Sequence, residues 1–390
     1  MAPMADSIKK SHGFQTIAVH AGRNVDPSTG AVAMPIYPST TFERDTDGAF
    51  SRGYSYIRDA NPNRKALEAC LSALEVGEEA IAFSSGMGAT FSVFQILSPG
   101  DHVVLHRDMY YGVRELINGI FTRYGIQHTV VDMRNLDETR AAVRPGTKLF
   151  WLETPTNPLI EVVAIEPIAA IAHEHGALFA CENTFATPAL QRPLELGADL
   201  VVHSLTKYLS GHSDAMGGAV ILKRAGDLAH KIRDFQHNGG AVLSPFDCWL
   251  ILRGIESLPA RMRIHCENAQ KIAEFLSAHA AVSKVRYPGL TNDPGHAIAK
   301  RQMRAFGGML SFEIRGARAE AFLVSSRFQL IIRATSLGGT HTLVEHRASI
   351  EGAHTRAPES LLRMSVGLED TADLIDDLDQ ALTALPGSLL

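Results

Sequence analysis

The chain reads as an α/β protein, a mainly parallel sheet with helices on both faces, followed by a smaller α+β C-terminal domain. Short apolar runs at residues 80–84, 102–105, 127–131, 149–152, 178–181, 200–203 and 219–222 alternate with helix-length stretches, which is the rhythm of a doubly wound sheet. The length of 390 residues exceeds what one simple core usually serves. Past a long periodic run at 255–279 the pattern changes, with apolar strands around Val285, Met309 and Leu330 interleaved with helical segments up to 368–385.

Taken in order, residues 1–52 are rich in Gly, Pro, Ser and Thr with little periodicity, more than a linker needs, and read as an extended arm. The division expected is an arm at 1–62, a large domain at 63–257 and a C-terminal domain at 258–390. A helix over 65–75 places Leu67, Cys70, Leu71 and Leu74 on one stripe. The strand at 80–84 then runs through Ser85-Gly86-Met87-Gly88 into an apolar helix at 89–97. Strand, glycine turn and helix N-terminus make a ready anion site, although a two-glycine turn is also ordinary connecting structure.

Three further strand ends carry polar groups where ligands of such sheets belong. Tyr110 follows the strand at 102–105, and Asn157 sits in Glu153-Thr-Pro-Thr-Asn-Pro158; packing and a Pro-rich turn are their plain readings. The apolar run at 199–203 ends in Ser204-Leu205-Thr206-Lys207, delivering one lysine and two hydroxyls to a single edge. Such a lysine is either a solvated cation or an amine kept deprotonated to condense with an aldehyde. Helices are expected at 225–237 and 245–253 before the run at 255–279.

Composition excludes several classes. A net charge of -5 with mixed signs gives no basic stripe for nucleic acid or an anionic membrane surface. The four cysteines stand apart without a Cys-x-x-Cys pair, so reduced thiols in a cytoplasmic protein are expected. No apolar run suits a signal peptide or a membrane span. His173-Glu174-His175, and His341 with His346, lack the spacing and third ligand of a zinc site, and no metal is expected.

The ordered set Asn183-Thr-Phe-Ala-Thr-Pro188, Leu196-Gly-Ala-Asp199, His203-Ser-Leu-Thr-Lys-Tyr208 and Gly211-His-Ser-Asp214 resembles the pyridoxal-phosphate site of the transsulfuration (Cys/Met metabolism) enzymes. The resemblance runs from about residue 13 to 385. It implies the aspartate aminotransferase-like fold type I, with pyridoxal 5'-phosphate carried on Lys207. Around the phosphate it places the amides of Gly86 and Met87 and the hydroxyls of Ser204 and Thr206. Tyr54-Ser-Tyr-Ile-Arg-Asp-Ala-Asn-Pro-Asn-Arg64 implies that Tyr56 and Arg58 reach the phosphate of a neighbouring subunit. The implied assembly is a homo-oligomer with shared sites, a dimer at least, with a tetramer the family's usual state.

By the same resemblance, Tyr110 stacks on the pyridine ring and serves as an acid or base. Asn157 meets the phenolic oxygen and the substrate, Arg363 clamps the α-carboxylate of an amino-acid substrate, and Ser336 belongs to the loop that edges the substrate pocket. Glu182 stands where the family has Asp against the ring nitrogen, one methylene or about 1.5 Å longer. The implied reaction is elimination or replacement at Cγ, of the cystathionine γ-lyase or γ-synthase type; a homoserine-ester sulfhydrylase and a methionine γ-lyase are the alternatives, and a decayed cofactor-binding scaffold is the non-enzymatic one. Gly112, where methionine γ-lyases carry a cysteine, weighs against methionine, and Thr340-His341-Thr342 replaces the usual Val-Glu-Ser after Ser336-Leu-Gly-Gly339.

Overall fold

The computed structural model describes residues 12–352 and 355–385, so the first 11 residues of the arm and the extreme C-terminus lie outside the described residues. Seven strands form the larger sheet: β1 (Glu79–Phe83), β2 (His102–His106), β3 (Gln127–Val131), β4 (Thr147–Glu153), β5 (Leu178–Glu182), β6 (Leu200–Ser204) and β7 (Gly218–Leu222). Their order is β1-β7-β6-β5-β4-β2-β3. β7 runs antiparallel to both β1 and β6, and the remaining pairs are parallel.

The apolar runs become strands buried on both faces because each face packs on helices. Residues alternate by face: Phe150, Leu152, Phe179, Cys181, Val201 and Ile221 join one core, while Leu149, Trp151, Ala180, Leu200, Val202 and Val220 join the other. Edge strand β3 is the exception, with Gln127, His128, Thr129 and Val130 at least partly exposed. In the helix Pro62–Glu75 the predicted stripe of Leu67, Cys70, Leu71 and Leu74 is buried, and the Asn61 side chain caps its first turn by accepting from the amides of Asn63 and Arg64.

Two expectations change. The arm is not extended throughout: Phe14–His20 is helical, with Ile17 and Ala18 buried against the helices Pro62–Glu75 and Pro245–Glu256. A seven-residue helix with two buried side chains is too short to show a period. The helices expected at 245–253 and 255–279 are present as Pro245–Glu256 and Leu258–Ala278, with the break between them moved to Ser257. Pro259 lies in the first turn of the second helix, where its missing N–H costs nothing, whereas inside a continuous helix it would break the ladder.

The smaller sheet comprises β8 (Val282–Arg286), β9 (Met309–Ile314), β10 (Ile332–Arg333), β11 (Leu343–His346) and β12 (Leu361–Ser365), ordered β10-β11-β12-β9-β8. The strand expected around Leu330 starts two residues later, and β11 and β12 were not foreseen. Along β12 the side chains alternate. Leu362 and Met364 join Leu310, Phe312, Ile272 and Leu378 in the small-domain core, while Arg363 on the other face reaches the large domain at Asn157. Among the described residues no helix is long and apolar enough to cross a membrane.

Candidate active site

The carboxyl ends of β4, β5 and β6 deliver Glu153, Glu182 and Ser204 to one rim. Arg363 meets them from β12, and a cavity of about 360 Å³ opens between. Gly86, Met87, Tyr110, Asn157, Glu182, Ser204, Thr206, Lys207, Ser336 and Arg363 all line it. Residues that the sequence placed more than 270 positions apart thus meet in one chamber. Tyr56 and Arg58 do not line it: Tyr56 is exposed, and Arg58 donates to the His237 carbonyl at 3.4 Å while stacking over the Tyr56 ring.

At one end the helix Gly86–Phe94 starts behind Ser85, whose hydroxyl accepts from the Gly88 amide at 3.0 Å. The amides of Gly86 and Met87 head the helix and have no intrahelical acceptor. A Cβ on Gly86 would lie 2.9 Å from Ser204 Cβ, and one on Gly218 would lie 2.1 Å from the Ser85 carbonyl oxygen; only glycine lets the turn lie against the ends of β6 and β7. The Thr206 hydroxyl donates to the Gly217 carbonyl at 3.3 Å and accepts from its amide at 3.1 Å.

Lys207 Nζ donates to Ser336 Oγ at 2.7 Å. Burial, and then the neighbouring Arg363 cation, lower its pKa to about 8, as an amine that must react in its neutral form requires. Ser336 itself adopts φ 85°, a left-handed conformation that a non-glycine side chain holds only when its surroundings enforce it.

Glu182 faces the cavity with its carboxylate braced by Thr184, whose hydroxyl and amide both donate to it, the amide at 3.2 Å. Burial raises its pKa, opposed first by the Thr184 hydrogen bond and next by His203. Glu153 is buried beside it and is raised well above the carboxylate range by burial and by Glu182, while accepting from the Tyr110 amide at 2.7 Å. Burial and the adjacent Tyr111 push the Tyr110 phenol up to about 12. The Tyr110 ring needs Gly112, since a Cβ there would lie 2.6 Å from it. Asn157 Oδ1 accepts from Arg363 Nη1 at 2.9 Å, leaving the Asn157 amide NH₂ as a donor.

A head of uncharged donors, a lysine of lowered pKa and a buried carboxylate in one cavity suit an aldehyde-bearing phosphate with a basic ring nitrogen, so the residues fit the implied cofactor. His341 is exposed and is not part of the cavity wall.

The sequence reading missed Thr184, Glu153, Glu345 and Arg347. Thr184 stood inside the Asn-Thr-Phe signature and could have been found there. Glu345 and Arg347 carried no signal beyond a short strand.

Two other features lie away from this chemistry. A larger cavity of about 580 Å³ lies between Glu161 and Arg286, where Arg134 and Arg286 are paired with acids. His106, Asp132 and Glu161 cluster with ligand-type atoms within 4.8 Å. However, His106 Nδ1 accepts from the Met133 amide at 3.1 Å, which puts the ring proton on Nε2. Arg107 and Arg134 already hold both carboxylates. This cluster is an ion-pair network.

The sequence pattern described as Cys/Met metabolism PLP-dependent enzyme matches residues 15–383. The cystathionine gamma-synthase of Mycobacterium tuberculosis is 48% identical over 376 residues, covering 95% of this chain and 97% of that protein. The cystathionine beta-lyase of Coxiella burnetii is 43% identical, covering 97% and 100%. The crystal structure of metB from Corynebacterium glutamicum superposes with a TM-score of 0.95 at 43% identity, covering 97% and 100%. The chain therefore belongs to the Cys/Met metabolism family of PLP-dependent enzymes, which act on amino-acid substrates.

Proposed function

We propose that the chain catalyses γ-replacement, exchanging the acyloxy group on Cγ of an activated homoserine ester for the thiol of cysteine to give cystathionine. The observation that carries this reading is the 48% identity, over nearly the whole chain, to a cystathionine gamma-synthase. Balance requires that the Cγ–O bond breaks with its electrons leaving on a carboxylate, that a Cγ–S bond forms, and that the thiol proton passes to the departing side. Bound pyridoxal phosphate supplies the electron sink that acidifies the substrate's α and β C–H bonds.

The chain's own residues do the rest. Arg363 docks the α-carboxylate through a guanidinium fork, next to the main chain at Ser336, whose carbonyl already accepts from Arg363 Nη2 at 3.1 Å. Lys207, neutral above about pH 8, takes and returns protons at Cα and Cβ. Tyr110, its phenol pushed up to about 12, stays protonated near neutral pH, so of the acid-or-base part expected from the sequence the acid is the one favoured, alongside stacking. Asn157 uses its NH₂ on the cofactor side and its oxygen on Arg363. Glu182, braced by Thr184, would pair with the ring nitrogen of the bound cofactor. Glu182→Gln is expected to lower kcat on the order of 10²-fold with little change in KM, measurable by steady-state kinetics.

The Coxiella relative favours a second reading, β-elimination from cystathionine. One product screen separates them. Cystathionine formed from an acyl homoserine plus cysteine supports the synthase, and homocysteine with pyruvate formed from cystathionine supports the β-lyase. The appearance of neither product overturns both.

The arm at 1–62, the large domain at 63–257 and the small domain at 258–390 complete the reading as a cytoplasmic homo-oligomer, consistent with four free cysteines. Tyr56 and Arg58 line no part of their own cavity and are proposed to serve a neighbour's. Mixing Arg58→Ala subunits with Lys207→Ala subunits, each nearly inactive, is then expected to restore about a quarter of the sites in a 1:1 random dimer population. Activity in the mixture no higher than in the parents would sink the shared site.

A further inference from the structure

Behind the cavity lies a buried carboxylate that nothing above employs. Glu75 is the last residue of the helix Pro62–Glu75 and has no exposed surface. Its Oε1 accepts from His203 Nε2 at 2.6 Å and from Asn183 Nδ2 at 2.9 Å; a carboxylate oxygen can only accept, which places an imidazole proton on Nε2. Its other oxygen has no partner among the described residues. Asn183 Oδ1 in turn accepts from Gln191 Nε2 at 2.9 Å, and the same nitrogen donates to the Thr154 carbonyl at 2.9 Å. Glu75, Asn183, Gln191 and His203 are all buried, and none of them lines the cavity.

Helix stability does not call for an acid here. The carbonyl end of a helix disfavours an anion, and taking a carboxylate out of water is costly unless buried donors answer it. The donors that answer it stand at the two strand ends that build the site. The β5–β6 ladder closes at Glu182 and Val202, with one further bond from the Asn183 amide to the Val202 carbonyl at 3.0 Å. Beyond that point the two chains are joined through side chains: Thr184 Oγ1 accepts from the Ser204 amide at 2.8 Å while its hydroxyl donates to Glu182. Asn183 lies between Glu182 and Thr184, and His203 directly precedes Ser204. By gripping both side chains through one oxygen, Glu75 fixes the spacing of the two strand ends at the level where Thr184 bridges them.

We infer that Glu75 is a positioning residue for the cofactor-ring carboxylate: through Asn183 and His203 it holds the ends of β5 and β6 so that Thr184 keeps Glu182 aimed into the cavity. This rests on the assignment of Glu182 to the ring nitrogen, and the experiment separates the two. Apoprotein is titrated with pyridoxal 5'-phosphate and with its 1-deaza analogue, in which C–H replaces the ring nitrogen, and binding is followed by tryptophan fluorescence; this arm needs no turnover. Steady-state kinetics of the γ-replacement are measured alongside on the holoenzyme. The variants are Glu75→Leu, which removes both hydrogen bonds, Glu75→Gln, which keeps an acceptor oxygen, Glu182→Gln, and the double variant Glu75→Leu/Glu182→Gln.

The wild-type apoprotein should bind the natural cofactor about tenfold more tightly than the analogue, the scale of one charge-assisted hydrogen bond. Glu75→Leu should bring that ratio to within about twofold and lower kcat about tenfold with KM nearly unchanged, the scale of a small displacement at a reacting group. Glu75→Gln should return both quantities to within about threefold of wild type. Adding Glu75→Leu to Glu182→Gln should lower kcat no further, whereas a merely structural role would cost the same factor in either background. Should Glu75→Leu fail to fold, His203→Leu, which severs one arm and leaves the Asn183 arm in place, carries the same cycle. A wild-type ratio in Glu75→Leu, or additive losses in the double variant, overturns the inference while the Glu182 assignment stands. If wild type shows no preference, or Glu182→Gln keeps it, the assignment itself fails and the inference falls with it.

Discussion

Lys207→Ala is expected to cut turnover on the order of 10³-fold or more, because in the role proposed for it the residue both carries the cofactor and moves the protons. Its amine is held by Ser336 in a partly desolvated wall, and burial followed by Arg363 brings its pKa to about 8. The deprotonated form is the reactive one. Cofactor uptake by the apoprotein should therefore rise about tenfold per pH unit below about 8 and level off above it. The uptake rate is read from the growth of cofactor absorbance, and Lys207→Ala should show no such growth while keeping the far-ultraviolet spectrum of the folded protein. Uptake that is flat from pH 6 to 9 would contradict a lysine poised by its surroundings.

Arg363→Ala should cost about 2–5 kcal/mol of transition-state binding, roughly 30- to 5,000-fold in kcat/KM, since truncation removes the proposed carboxylate clamp and leaves Glu345 with one cation fewer. Lysine at this position should rescue little, because a point charge cannot satisfy the substrate, Asn157, Ser336 and Glu345 at once. A second signature follows from the same contact. Arg363 is a cation that lowers the Lys207 pKa, so its removal should move the break in the uptake profile to higher pH. A loss of kcat/KM without that displacement would mean that Arg363 acts on substrate alone.

Most of the large sheet was legible because a strand covered on both faces leaves a dense apolar run, as in His102–His106 and Gly218–Leu222, where every residue is buried. For the motifs at Gly86, Tyr110, Asn157 and Lys207 the chemistry was legible for a related reason: each sits just past such a run, where the chain turns polar. What stayed hidden is short or mixed in character. Phe14–His20 buries only two side chains. Leu361–Ser365 places an arginine between apolar neighbours, so the strand went unforeseen although the resemblance had singled out Arg363, whose guanidinium donates to Asn157 and Glu345. The Glu345–Arg347–Glu351 chain joins β11 to a five-residue helix, and no local pattern marks a charge network whose partners lie on different elements.

The donors gathered at the Gly86 end of the cavity are backbone amides and hydroxyls, without a fixed charge of their own besides the reactive lysine. If the partner's Arg58 supplies the missing cation, cofactor retention and subunit association become linked equilibria, each strengthening the other by the same factor. Dilution would then strip the enzyme of its coenzyme, and a cell short of the vitamin precursor would hold more dissociated subunits. The supply of a small molecule would be read out as quaternary structure.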